Sequence, residues 1–146
     1  MKFIFSFDEY LKEGLLAVGK SKIEFEYKIN AYEHFYDRLS RDDNEDDING
    51  SSIIEEYEVI SDMEKAITKI AKKNLFNNGI YWNDNKLNKE ILIQNIDTNL
   101  NIITVVDKIK TSNDYEYIFT IKTVMRKNNF QSSSKENSFK IQINGK

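Results

Sequence analysis

The sequence predicts an α+β domain, with N-terminal helices packed on a C-terminal antiparallel meander sheet of four to five strands. Three observations lead there. Up to Lys73, apolar residues recur mostly at helical spacing. After "FNNG", residues 76–79, alternating or continuous apolar runs take over, separated by Asn, Asp and Ser. The chain has 146 residues, 40% of them hydrophobic, which suits a single domain spanning residues 1–146 with a real core. Helical segments followed by a run of strands make α+β the expected class.

Taken in order, Ser6 and Glu9 form an S-x-x-E capping box for a first helix over residues 7–18. Phe7, Tyr10, Leu11, Leu15 and Val18 are its apolar stripe; Gly14 weakens it and Gly19 ends it. Residues 1–20 are read either as part of the domain or as a separate helical arm. "KIEFEYKI", residues 22–29, alternates, with Ile23, Phe25, Tyr27 and Ile29 on one side, so it is a half-buried strand or an extended arm. Asn30 and Glu33 give a second cap signal, and "AYEHFYDRLSR", residues 31–41, is expected to be helical. Tyr32, Phe35, Tyr36 and Leu39 form its buried stripe. "DDNEDDINGSS", residues 42–52, is a loop by composition.

From Ser52 the helical pattern resumes through Ile53, Tyr57, Ile60, Met63, Ile67, Ile70 and Ala71. Ser61 and Glu64 offer a fresh cap, so this is two helices or one bent helix. Acids lead the segment and Lys65, Lys69, Lys72 and Lys73 close it, which complements the helix dipole. Strands are expected in "GIYW" (79–82), "EILIQNI" (90–96), "NIITVVDKI" (101–109), "YEYIFTIKTVM" (115–125) and "FKIQI" (139–143). With no Pro and five Gly, the turns must rest on Asn, Asp and Ser, as in "DTNLN".

Composition narrows the chemistry. The absence of Cys excludes disulfides, thiolate zinc sites and a cysteine nucleophile. One His without Cys argues against a transition-metal site, and "DDNEDD" lacks the ordered calcium-loop spacing. There is no phosphate-binding glycine loop, so no cofactor is expected. The apolar run in "MKFIFSF" is too short for a signal peptide, and no segment approaches the roughly 20 apolar residues that span a bilayer. The net charge of −3 conceals an asymmetry. Between Asp42 and Glu64 there are ten acidic residues and no basic one. From Thr120 onward there are six basic residues and one acidic. Such a chain can offer a basic site on one side and an acidic face to a basic partner on the other.

The three arginines mark the candidate site. His34, Arg38 and Arg41 lie at i, i+4 and i+7, within an arc of about 60° on a helix. Arg126 lies in "IKTVMRKNNF", residues 121–130. Strict alternation puts Ile118, Thr120, Lys122, Val124 and Arg126 on one face of that strand. Phe119, Ile121, Thr123, Met125 and Lys127 take the other face, which is expected to meet the core. Lys122 and Arg126 then stand about 13 Å apart, away from the core. Arg supplies a planar fork for phosphate that Lys does not. The candidate site is therefore His34, Arg38, Lys122 and Arg126, reactive or anion-binding, with Arg41 and Lys127 as further phosphate or nucleic-acid contacts. Asp42, Asp43, Asp46 and Asp47 are the candidate protein-interaction residues.

"EHFYDRLSR" and "KTVMRKNNFQSS" together resemble a family of small uncharacterised proteins of tailed bacteriophages. Those carry an H-F-x-x-R helix motif and a K-T-V-M-R-K-x-N-F strand motif followed by Ser or Thr. "SFDEYLKEGLL" also resembles the short amphipathic N-termini of such proteins. The resemblance spans residues 29–133 and implies an accessory protein in the host cytoplasm or the virion. More distantly, a His-x-x-x-Arg helix beside a meander sheet resembles small metal-independent ribonucleases of the RelE, RegB and barnase–EndoU type. That resemblance implies His34, Arg38, Lys122 and Arg126 as the catalytic set, with His34 as acid or base, helped by Lys122, a Tyr or a carboxylate in place of a second histidine. The guanidinium groups would clamp phosphoryl oxygens. Three functions remain open on the sequence. One is binding of nucleic acid or of a host or virion protein through the His/Arg/Lys cluster. The others are metal-independent RNA cleavage and acidic mimicry that inhibits a host nucleic-acid enzyme.

Overall fold

The structure, a computed structural model, describes residues 13–20, 25–32, 35–39, 53–78, 88–110, 112, 115–128 and 138–145. Its strands are β1 (Glu13–Lys20), β2 (Glu26–Tyr32), β3 (Asn88–Asn95), β4 (Leu100–Lys110), β5 (Tyr115–Arg126) and β6 (Ser138–Ile143). Its helices are α1 (Phe35–Arg38), α2 (Glu56–Lys72) and α3 (Leu75–Asn78), of which only α2 is long. The strands form one six-stranded sheet in the order β1-β2-β5-β4-β3-β6.

β1 and β2 pair antiparallel, as do β3 with β4 and β4 with β5. β2 runs parallel to β5, and β3 parallel to β6. Strands β2, β3, β5 and β6 therefore point one way, and β1 and β4 the other. The chain leaves β2, passes through α2 and enters β3 on the far side of the sheet. The β3–β4–β5 meander then folds back to dock beside β2.

One face of α2 explains its position. Val59, Met63, Ala66, Ile67 and Ile70 are all buried, three or four residues apart along the helix. They meet Ile91 and Ile93 of β3, Leu100, Ile102 and Val106 of β4, and Phe119, Ile121 and Val124 of β5 in one core cluster. Phe76 of α3 seals one end, stacked on Tyr117 with ring centroids 4.0 Å apart. At the start of α2, Ile54 and Val59 are both buried and occupy the positions of a hydrophobic staple around the cap residue Glu55. The helix ends at Lys72 with Lys73 as its cap, and Asn74 follows with φ 51, a left-handed conformation that Asn tolerates.

Helices on an antiparallel meander is not the architecture found. Among the described residues the sheet has six strands and is mixed, and it carries one long helix. Residues 13–18, expected to close a first helix, are strand β1. Gly14 and Gly19 lie within it, and ladder bonds to β2 replace a weak helical preference. β2 continues through Asn30 to Tyr32, so Asn30 is not a helix cap, and among the described residues of the second expected helix Phe35–Arg38 is helical. Parallel pairing runs as far as Ala31 with Ile121 and holds those residues extended. Ser61 and Glu64 start no new helix, because α2 is continuous across them. The predicted strand at 79–82 lies outside the described residues.

Candidate functional site

The third arginine is a structural clamp. Arg126 is fully buried, on the side of the sheet that faces α2. Its Nη1 donates to the carbonyl of Thr98 at 2.9 Å. Its Nη2 donates to Glu58 Oε2 at 2.9 Å and to the carbonyl of Ile53 at 3.5 Å. One guanidinium thus joins the end of β5 to the β3–β4 turn and to the start of α2. Glu58 sits in the first turn of that helix, where its carboxylate also accepts the cap N–H of Glu55 at 3.4 Å. Carboxylates are favourable there because the orphan amides and the helix dipole attract negative charge.

Lys122 lies elsewhere. In the β4–β5 ladder Ile103 pairs with Thr123 and Thr104 with Ile121, so Lys122 is the extra residue of a β-bulge. The hydroxyl of Thr104 donates to the carbonyl of Thr120 beside it at 2.9 Å. A bulge resets the side-chain alternation by one residue. Phe119 and Ile121 before it, and Val124 and Arg126 after it, therefore all face α2. Lys122 is exposed on the opposite face, with its ammonium 3.3 Å from Glu90. The expected cationic pair of Lys122 and Arg126 on one outward face is corrected accordingly: the two point to opposite sides of the sheet. Lys127 is half-buried at the end of β5, and its backbone N–H donates to the Asn99 carbonyl at 3.0 Å. Lys122→Ala should change stability by about 1 kcal/mol or less in urea unfolding, because nearly half of the lysine side chain is solvated. A larger loss would mean that the bulge depends on the ion pair.

Beside the Arg126 clamp is a second buried polar group. Asn95, at the end of β3, donates from Nδ2 to both carboxylate oxygens of Asp62, at 3.1 and 3.3 Å. The same amide donates to the carbonyl of Gly145 at 2.8 Å. Asn95 Oδ1 accepts the backbone N–H groups of Asp97 and Thr98 and so shapes the turn. The turn closes at Asn99 with φ 62. Asp97 accepts the N–H of Gly145 at 2.7 Å, and Lys65 donates to the Gly145 carbonyl at 3.2 Å. Gly145 has φ +93, a conformation costly for residues with a Cβ. Burial pushes the Asp62 carboxyl up to about 6, aided by the charge of Glu58; the Asn95 hydrogen bond, Lys65 and Arg126 oppose it without cancelling it. This cluster ties α2, the β3–β4 turn and the segment after β6 together.

Where the chain enters α2 the surface is apolar. Tyr57 is 74% exposed, Ile53 53% and Tyr36 48%. Tyr36 was expected on a buried stripe, and Ile53 and Tyr57 in the apolar helical pattern. In α1 it is Phe35 that fills the core, which turns its neighbour Tyr36 outward. The two rings remain in edge contact with centroids 5.0 Å apart. The junction is held by the N–H of Ile54, which donates to the Leu39 carbonyl at 2.7 Å. Burial, and then the charge of Glu56, push the Tyr36 phenol above its usual value, so Glu56 stands near that ring. Glu55 and Glu56 are themselves exposed.

His34, Arg41, Asp42, Asp43, Asp46 and Asp47 lie outside the described residues, as does the side chain of Arg38. Among the described residues no three His, Asp or Glu side chains are placed to hold a metal ion, and no helix is long and apolar enough to cross a membrane. Comparisons with protein-family models, with curated proteins and with solved structures give no match.

Proposed function

We propose that this protein is an accessory factor, of the kind implied by its resemblance to small phage proteins, that binds a basic protein partner through its acidic region. One observation carries the reading: the stretch from Asp42 to Glu64, with ten acids and no base, spends only part of its charge inside the fold. Glu58 pairs with Arg126 and Asp62 is buried, whereas Glu55, Glu56 and Glu64 are exposed. A surface of that sign repels a nucleic-acid backbone and attracts lysine and arginine. The phosphate-clamping alternative loses support from the geometry, since Arg126 is enclosed and Lys122 faces the other way.

Two binding measurements at physiological salt test this, one with a short labelled oligolysine peptide and one with single-stranded RNA. The peptide should bind, more weakly as salt rises. Binding should drop when Asp42, Asp43, Asp46 and Asp47 are all replaced by Asn. RNA should neither bind nor be cleaved. Metal-free cleavage leaving 2′,3′-cyclic phosphate ends, abolished by His34→Ala, would replace this reading with the ribonuclease one.

A further inference from the structure

Resting on that reading, we infer that the docking surface is the junction of α1 and α2, and that its partner is a basic segment carrying an apolar anchor. Tyr36, Ile53 and Tyr57 present three large apolar side chains to solvent where the chain enters α2. The core beneath is already complete without them: Phe35, Ile54 and Val59, their neighbours in sequence, fill it. Exposed tyrosine and isoleucine held on a fixed backbone suit an interface, because an aromatic ring covers much area with little entropy to lose.

The backbone under this patch is fixed from two sides. The Leu39 carbonyl accepts from Ile54, and Arg126 holds both the Ile53 carbonyl and the Glu58 carboxylate. The charge around the patch selects the partner. Glu55 and Glu56 are exposed beside it, and among the described side chains neither is paired with a lysine or arginine. An acidic or neutral apolar segment would leave those carboxylates desolvated without a counter-charge, whereas a lysine- or arginine-flanked anchor compensates them.

The test uses fluorescence anisotropy with a labelled synthetic peptide of lysines interspersed with leucine and phenylalanine, alongside a peptide in which Ser replaces every apolar residue. Wild-type protein should bind the first about tenfold more tightly than the second. Tyr57→Ser combined with Ile53→Ser should remove that preference while leaving the thermal midpoint in place, since both side chains are mostly solvated. Equal affinity of the double variant and wild type for the apolar peptide would overturn the docking surface. So would equal affinity of wild type for the two peptides. If in either case Asp42, Asp43, Asp46 and Asp47 remained necessary for oligolysine binding, the acidic-partner reading would still stand. Failure of wild type to bind any lysine peptide would remove both.

Discussion

Arg126→Met should destabilise the protein by about 3 to 5 kcal/mol, the cost of breaking a buried ion pair by removing one partner. Three acceptors lose the guanidinium at once: Glu58 Oε2 and the carbonyls of Thr98 and Ile53. Glu58 keeps some contact with water, its side chain being 21% exposed, so the lower end of that range is expected. In a domain of this size the thermal midpoint would fall by roughly 10 °C. Arg126→Lys should recover little, because one ammonium does not reproduce a fork that reaches a helix start and a turn together. Adding Glu58→Leu to Arg126→Met should restore part of the loss, since the carboxylate left without its guanidinium is then gone. Urea unfolding of the four proteins in this cycle measures the coupling directly. If Arg126→Met melts within a degree of wild type, the guanidinium is not the clamp described. The result also bears on catalysis: a catalytic arginine would be replaceable without loss of fold.

The elements visible in the sequence were those whose partners lie close in the chain. The α2 pattern of Met63, Ile67, Ile70 and Ala71 survives in the structure, and so do β3, β4 and β5, joined by short antiparallel connections. Their signals are periodicity and turn chemistry, and "DTNLN" does make a turn with Asn99 left-handed. What stayed hidden was non-local. Nothing in "KINAY" announces that it runs parallel to residues 116–121, and that pairing decides whether Asn30 extends a strand or caps a helix. In the same way "EGLLAVGK" carries apolar residues at spacings that fit either period, and only its pairing with β2 selects the strand. Parallel return of β6 to β3 likewise leaves no trace in local composition.

The expected facing of Arg126 differs from the structure for a specific reason. The rarity of arginine in a lysine-rich chain does mark a position where a planar fork is needed. At Arg126 the fork recognises one carboxylate and two carbonyls inside the protein, not a phosphate outside it. Strict alternation then placed the side chain on the wrong face, because a single bulge at Lys122 shifts everything after it by one residue. The Tyr36, Ile53 and Tyr57 patch was concealed by a different ambiguity. Each sits next to an apolar neighbour, Phe35, Ile54 or the segment leading to Val59, and spacing alone does not say which of two adjacent apolar residues faces in. Glu58 three residues after Glu55 was the legible clue to the true start of α2.

Asp62→Asn should make the protein more stable at neutral pH, by up to about 3 kcal/mol, and should leave it nearly unchanged at about pH 3 and below. The sign follows from the direction of the shift. Burial raises the Asp62 carboxyl from 3.8 to about 6, so the folded state binds its proton more tightly than the unfolded chain does. Below the unfolded value both states are protonated and the group contributes no penalty. As pH rises toward 6 the unfolded chain ionises first, and stability is lost across that interval. Above it the native state holds a carboxylate that would be better solvated in the unfolded chain. An amide carries no such penalty and keeps an oxygen to accept from Asn95 Nδ2. The charges facing the group are Lys65, Glu58 and Arg126, and their sum leaves desolvation dominant. Comparing wild type and variant at each pH isolates this group from other carboxylates that titrate in the same range. A variant less stable than wild type at pH 7 would mean that Lys65 and Arg126 hold Asp62 as a working ion pair, and that its charge strengthens the tie between α2 and the end of β3.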